Sequence, residues 1–288
     1  MDIGIIGCGN MGGAMARHLL AAGRTLACHD PDPATRAAMA DAGAEISDSA
    51  ADLAARADVI VLSLPNGAIV RAVMAEITGH LRPGATLLDT STSDPETSQA
   101  LHRQGQAEGF HFIDGPVSGG PIAARAGAMT MLLGGDADAI SAIRPLIDLL
   151  TAKTVHVGRA GAGHAAKIVN NLLCAANLVL VAEAMRLGAA AGVEAEALLE
   201  GINAGSGRSG VSEVNYPKWV LPGAFDSGFT MGLMRKDVAL ARDLAAGAGV
   251  EMPGFAAISR IWADSAGTLP DGEDFNRITQ FETPEAGQ

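Results

Sequence analysis

Residues 3–12 read Ile3-Gly4-Ile5-Ile6-Gly7-Cys8-Gly9-Asn10-Met11-Gly12. Ile3 to Ile6 is a short apolar run of strand type. Met11 to Ala22 has helical periodicity and closes at Gly23, a good helix stop. Between strand and helix the glycines fall in the spacing GxGxxG. Gly7 permits a tight turn, Gly9 lets backbone approach a pyrophosphate, and Gly12 lets the helix pack closely on the strand. Asn10 and Met11 open the helix, where unpaired N–H groups and the positive dipole end favour phosphate. The spacing alone also fits a structural turn. Its place between strand and helix makes it a dinucleotide-binding turn.

Working outward, Thr25 to His29 reads as a second strand that ends at Asp30. A carboxylate there accepts hydrogen bonds from the ribose hydroxyls and repels a 2′-phosphate. The next residues are Pro31, Asp32 and Pro33, with no Arg directly after Asp30. NAD is therefore expected rather than NADP, with Arg36 the residue that can reverse this. A helix or turn cap is the alternative role for Asp30.

The pattern then alternates. Helices are expected at Pro33–Ala42, Ala68–Ile77, Ser98–Glu108 and Ala137–Leu150. Strands are expected at Asp58–Leu64, Ala85–Asp89, Phe110–Asp114, Met129–Leu133 and Lys153–Val157. DVIVLSL (58–64) is almost continuously apolar, as in a strand buried on both faces. Alternating strands and helices imply a mostly parallel sheet covered on both faces, an α/β Rossmann-type N-terminal domain. The texture changes at Gly158, Gly161 and Gly163. A long Ala-rich helix is expected from His164 to Ala191. Only helical segments follow, at Glu194–Asn203, Met231–Ala246 and Gly254–Ala263. The boundary is placed near Gly161, with residues 1–161 binding the dinucleotide and 162–288 forming an all-α C-terminal domain for substrate and dimerisation. The polar tail from Glu282 is expected to fray.

Composition narrows the class. Aromatic residues are 3% of the chain, so Ala, Leu, Val, Ile and Met must build the core. The net charge of −12 argues against a nucleic-acid partner, which needs a basic face. The three cysteines, Cys8, Cys28 and Cys174, lack metal-ligand spacing, and the histidines form no HExxH motif, so no metal is expected. A reduced, cytoplasmic protein is the natural reading. Cys8, inside the glycine turn, is read as a small packing residue. The N-terminus reads as a strand rather than a signal peptide. The most apolar helical stretch, Leu172 to Ala182, is interrupted by Asn177 and shorter than the roughly 20 residues of a membrane span, so no membrane partner is expected.

Three further stretches carry chemistry. In Asp114-Gly-Pro-Val-Ser-Gly-Gly120, Ser118, Gly119 and Gly120 can offer a hydroxyl and successive N–H groups to an anion, or simply make a turn. In Lys167-Ile-Val-Asn-Asn171, Lys167 and Asn171 share a helix face four residues apart, with Asn170 close by. Lys167 is either catalytic or snorkelling to solvent. Arg235-Lys236-Asp237 alone reads best as a solvated charged face.

Taken together, GIIGCGNMGGAMARHL (4–19), DTSTSDP (89–95), DGPVSGG (114–120), GAGHAAKIVNN (161–171) and LMRKDVALA (233–241) resemble the β-hydroxyacid dehydrogenase family, which includes 3-hydroxyisobutyrate dehydrogenase and tartronate semialdehyde reductase. The resemblance runs from Gly4 to about Phe281. It implies Lys167 as the catalytic residue and Ser118, Gly119 and Gly120 as the substrate carboxylate site. It implies that Asn171 holds substrate, that Lys236 lines the site near the nicotinamide, and that Leu64, Pro65 and Thr92 contact the cofactor. It also implies a site in a cleft between two domains, and a homodimer or homotetramer. The implied reaction is hydride transfer between NAD and a small anionic 3-hydroxy acid, with Lys167 moving the hydroxyl proton. To act as a base near neutrality Lys167 needs a lowered pKa, which desolvation and Lys236 would supply. The alternatives are a semialdehyde reductase, for a tartronate, succinic or sulfonate-bearing semialdehyde, and a non-catalytic dinucleotide-binding sensor. Arg208, in Gly205-Ser206-Gly207-Arg208, can meet a carboxylate bidentately or lie on the surface. Pro121 and Met129 depart from the family pattern. Trp219 and Phe229 are pocket candidates without a place.

Overall fold

The computed structural model describes residues 1–281; the tail from Glu282 lies outside them. The chain divides into two compact units, Met1–Lys167 and from Ile168 onward.

The first unit is a nine-stranded sheet with helices. Its strands are β1 (Ile3–Ile6), β2 (Leu26–His29), β3 (Glu45–Ile46), β4 (Val59–Leu62), β5 (Thr86–Asp89), β6 (His111–Asp114), β7 (Val117–Ser118), β8 (Met129–Gly134) and β9 (Thr151–Gly158). Its helices are α1 (Asn10–Ala21), α2 (Pro33–Asp41), α3 (Ala50–Ala54), α4 (Gly67–Ile77), α5 (Pro95–Glu108), α6 (Gly120–Arg125), α7 (Ala137–Ala142) and α8 (Arg144–Leu150). The strand order is β3-β2-β1-β4-β5-β6-β8-β7, with β9 also paired to β8. The first six strands are mutually parallel, and β8 runs antiparallel to β6 and β7. The expected mostly parallel Rossmann-type sheet is present.

Burial explains the parallel strands. All four residues of β4 are buried, as are those of β1 and β5. Two apolar clusters lie in this unit. One gathers Met15, Leu19, Ile5 and Val61 with Met129 to Leu150; the other gathers Ile60, Leu62, Met74, Ile77 and Leu87. Each such side chain contributes roughly 1.5–3 kcal/mol of transfer free energy.

The sequence reading missed several short elements. β3 and α3 carry too few residues for a periodic signal, and Ser49 starts α3 by capping Asp52 N. Within Asp114–Gly120, read as an anion loop or turn, Val117–Ser118 form β7, paired to β8; Gly120–Arg125, given no element in the sequence reading, form α6, whose first turn accommodates Pro121. The expected helix Ala137–Leu150 breaks at Ile143 into α7 and α8. Pro145 lacks an N–H and its ring excludes the carbonyl four residues back.

Helix α9 (Ala162–Ala190) begins in the first unit and continues into the second. At 29 residues it is long and apolar enough to cross a membrane, so the length argument from Leu172–Ala182 does not hold. Its Ala175, Leu178, Val179, Val181 and Ala182 are instead buried in the second unit's own core, with Trp262 and Met231. The second unit continues with α10 (Ala195–Ala204), a π-helix (Val211–Val220), α11 (Met231–Ala248), α12 (Pro253–Asp264) and a 3-10 turn (Phe275–Gln280). The π-helix was not foreseen. It holds Pro217, which reads as a helix breaker in sequence, yet it buries Val211, Ser212, Asn215 and Tyr216. The Trp262 indole N–H donates to the Ala175 carbonyl at 3.2 Å and ties α12 to α9.

The start of α9 is closely packed against β6 and β8. A Cβ at Gly163 would stand 2.5 Å from the Leu132 carbonyl and 2.7 Å from that of Asp114. Backbone cannot yield there. Gly163→Ala is expected to lower stability by about 1–3 kcal/mol, as overpacking does. A urea melt checks this, and an unchanged midpoint would mean that α9 starts further from β6 and β8.

Candidate active site

The glycine turn is built as its spacing implies. Gly7 has φ +87°, and a Cβ there would meet the Ser63 carbonyl at 2.3 Å. A Cβ at Gly12 would stand 1.9 Å from the Gly7 carbonyl, so glycine is required for α1 to sit on β1. A Cβ at Gly9 would meet nothing within 4 Å. The fold itself does not demand glycine there; open space in front of its backbone suits a ligand. Gly9 is the N-cap of α1, and no side chain caps that helix end. Asn10 and Met11 therefore begin a helix whose first N–H groups are open to an anion. These residues fit a dinucleotide's pyrophosphate.

Asp30 follows β2 and faces this turn. Its Oδ2 accepts from Cys8 N at 2.7 Å and its Oδ1 from Asp32 N at 2.9 Å. Arg36 Nη1 donates to the carbonyls of Asp30 at 2.7 Å and Pro31 at 3.0 Å. The guanidinium thus braces the turn backbone, while Asp32, not Asp30, caps α2. Cys8 is buried, and its thiol is pushed well up by its hydrogen bond with Cys28 and by burial. It stays a protonated packing residue.

The sheet order explains why these groups meet. The chain leaves β1 for β2 and β3 on one side, then crosses to β4 on the other. A crevice opens beyond the carboxyl ends of strands at such a switch. Leu64 and Pro65 follow β4, and Thr92 follows β5. The Leu64 N–H donates to Ser91 Oγ at 2.9 Å, which joins the two strand ends.

Lys167 lies in the first unit with them. It is 6% exposed, and its Nζ donates to Ser118 Oγ at 2.8 Å. Ser118 ends β7, Gly119 has φ +116° and Gly120 φ +65°. Beneath Lys167 lies a polar cluster that the sequence did not reveal. Asp114 Oδ1 accepts from Gly161 N at 2.7 Å and Oδ2 from His164 N at 3.0 Å. The His164 ring contacts Ser98 Oγ at 2.7 Å and the Ser91 carbonyl at 2.9 Å. Asp89 is fully buried, and burial pushes its carboxyl well above the usual range although the His164 ring and Ser91 pull it down.

The second unit carries Asn171 and Lys236. Asn171 is 5% exposed; its Nδ2 donates to Asp237 Oδ2 at 2.5 Å and its Oδ1 accepts from Asn170 Nδ2 at 3.1 Å. Asp237 is 1% exposed, and Lys236 Nζ lies 3.4 Å from its other oxygen. The reading of Arg235-Lys236-Asp237 as a solvated face is therefore corrected. Arg235 also points inward, donating to the Trp262 and Leu269 carbonyls, Ser265 Oγ and Asp271. Helical spacing places 235 and 237 on different faces, so a charge count along the sequence cannot show that both are taken inward. Phe229 stacks edge-on against Phe275 at 5.2 Å, and Lys218 lies over Trp219 at 4.8 Å. Arg208 is exposed.

Comparison with known proteins agrees with this arrangement. Residues 2–158 match the NAD binding domain of 6-phosphogluconate dehydrogenase. Residues 161–281 match the domain described as NAD-binding of NADP-dependent 3-hydroxyisobutyrate dehydrogenase. The chain is 36% identical to 2-(hydroxymethyl)glutarate dehydrogenase of Eubacterium barkeri, over 96% of this chain and 93% of that one. It is 37% identical to human mitochondrial 3-hydroxyisobutyrate dehydrogenase, over 84% of this chain and 75% of that one. The solved structure of Mycobacterium tuberculosis 3-hydroxyisobutyrate dehydrogenase with L-serine superposes with a TM-score of 0.91 at 32% identity, covering 97% of this chain and 98% of that one. With a dinucleotide turn, a buried lysine on a serine hydroxyl and two matched domains, the chain belongs to the β-hydroxyacid dehydrogenase family of NAD(P)-dependent oxidoreductases.

Proposed function

We propose that this enzyme oxidises a 2-substituted 3-hydroxypropanoate to its semialdehyde, and reduces it in reverse, with NAD preferred and Lys167 transferring the proton. The observation that carries this is the buried Lys167 Nζ held 2.8 Å from Ser118 Oγ. The substrate class follows from chemistry shared by two relatives. 3-Hydroxyisobutyrate and 2-(hydroxymethyl)glutarate both bear a hydroxymethyl group beside a carboxylate and differ in the substituent on that carbon.

The bound nicotinamide supplies the hydride acceptor. Ser118, Gly119 and Gly120 hold the substrate carboxylate through the hydroxyl and N–H groups. Asn171 spends one Nδ2 hydrogen on Asp237 and keeps the second for the substrate hydroxyl. Lys167 takes the hydroxyl proton as the aldehyde forms and returns it in reduction. Asp237 fixes the Asn171 amide and meets Lys236, so its charge is balanced locally. Residues 1–161 serve as the dinucleotide domain and 162–288 as the substrate and dimerisation domain in this reading.

The preference for NAD rests on Asp30, which follows β2 and whose carboxylate accepts from Cys8 N in the glycine turn. We also infer a cytoplasmic homo-oligomer. In the second unit Val169, Leu173, Leu180 and Leu187 of α9 are exposed, and their spacing by four and seven residues aligns them in one stripe. By helix geometry this stripe points away from the face of Lys167 and Asn171.

The wild-type enzyme is expected to turn over 3-hydroxypropanoates bearing a C2 substituent with NAD, read as absorbance of NADH. Lys167→Ala is expected to lower kcat about 10²–10⁴-fold while NAD still binds. Retained turnover would remove Lys167 from the chemistry, and no turnover of any hydroxy acid or semialdehyde by the wild type would favour a dinucleotide-binding sensor. Asp30→Ala is expected to shift the NAD to NADP ratio of kcat/KM toward NADP by about tenfold or more, the worth of a charged hydrogen bond. An unchanged ratio would place cofactor choice elsewhere. Light scattering is expected to give a dimer or tetramer, and Leu173→Glu to dissociate it; a wild-type monomer would refute the oligomer.

A further inference from the structure

Lys167 can act only if its helix presents Nζ at a fixed distance from the strand ends that meet the cofactor. Two side chains at the start of α9 set that distance. Asp114, at the end of β6, receives the N–H groups of Gly161 and His164 and so fixes the helix along its axis. His164 is fully buried, three residues before Lys167. Its Nε2 contacts the Ser91 carbonyl, which can only accept, so Nε2 carries a hydrogen and donates. Nδ1 meets the Ser98 hydroxyl at 2.7 Å. Both serines are buried, Ser98 on α5 and Ser91 in the segment that follows β5. The ring thus ties α9 to two points off its axis, which stops rotation of the helix.

The Ser91 tie has a chemical consequence. Ser91 Oγ receives the Leu64 N–H, and Thr92 is the next residue. The segment grasped by His164 therefore contains Thr92 and is joined through Ser91 to Leu64 at the end of β4. Gly163 and Gly134 make the clamp possible. Cβ atoms there would stand 2.8 Å and 2.6 Å from Asp114 Oδ2.

We propose that His164, with Ser98 and Asp114, is a positioning residue that sets the alignment of Lys167 with the cofactor-contacting strand ends. It touches neither substrate nor cofactor. The proposal rests on the function proposed above, and a structural readout keeps the two separable. A displacement near 1 Å of a catalytic group costs about 10²-fold in rate.

The test compares wild type, His164→Ala, His164→Gln and Ser98→Ala. Gln keeps one donor and one acceptor at the ring's place. His164→Ala is expected to lower kcat at least about tenfold, with the Kd for NAD within about twofold of wild type. The primary deuterium isotope effect on kcat is expected to rise as hydride transfer becomes limiting. Gln is expected to recover most of the loss, and Ser98→Ala to fall between. A crystal structure of His164→Ala is expected to show Lys167 Nζ beyond hydrogen-bond distance of Ser118 Oγ. Unchanged kcat and isotope effect per folded enzyme, or a loss confined to NAD affinity, would overturn the proposal. If His164→Ala does not fold, an unchanged kcat and isotope effect in Ser98→Ala overturns it, and a lowered kcat with a raised isotope effect supports it. If the wild type turns over no hydroxy acid, the functional reading fails, and the Nζ–Oγ separation in the variant crystal still decides whether His164 positions Lys167.

Discussion

Asp114 holds the helix that carries Lys167. Its carboxylate is fully buried at the end of β6 and accepts the backbone N–H groups of Gly161, just before α9, and of His164 in its first turn. Four N–H groups at any helix start need partners, and buried ones left alone cost about 1–3 kcal/mol each. A carboxylate brought from a distant strand meets this need and also decides where the helix begins. The same contact explains the glycines around it, because a side chain on Gly134 or Gly163 would occupy the place of the carboxylate or its neighbouring carbonyls. Lys167 reaches Ser118 because this start is fixed.

The parallel sheet collects the rest of the first unit's chemistry by topology. Strands that all run one way deliver their following residues to one edge. Gly7, Asp30, Leu64 and Thr92 come from β1, β2, β4 and β5, separated by up to 85 positions in sequence, yet each follows the carboxyl end of its strand. Hydrogen bonds across that edge, Cys8 N to Asp30 and Leu64 N to Ser91, link these ends to one another. Of Gly7, Gly9 and Gly12, Gly9 is the one the packing does not require, since a Cβ there would meet nothing within 4 Å.

The second unit solves a different problem. Its core packs Ala, Leu, Val and Met with Trp262, Tyr216, Phe275 and Phe281, and buried polar groups pair within it. Asn171 with Asp237, and Asn215 with Asn276, are such pairs. Arg235 satisfies carbonyls at the end of α12. A charged run that looks solvated in sequence is thereby turned inward at Arg235 and Asp237.

The fold class, most element positions and the candidate residues Gly7, Gly9, Gly12, Asp30, Ser118, Lys167 and Asn171 were legible in the sequence. Periodicity and glycine spacing are local signals, and a strand-turn-helix unit with three glycines has few physical alternatives. Motif order carried the likeness to the family. The partners of those residues were not legible. Asp237 hid in a charged triplet, Asp114 read as the edge of an anion loop, and His164 stood unremarked within GAGHAAKIVNN. Their roles depend on contacts over 50 to 73 positions, such as His164 with Asp114 and Ser91 and Asn171 with Asp237. No local pattern encodes such a distance. Even at the glycine turn, sequence alone proposed three roles, and only tertiary structure separated them: Gly7 and Gly12 answer to neighbouring backbone, while Gly9 faces open space. Local sequence determines which segments can form; the close packing of distant segments decides which side chains they bring together.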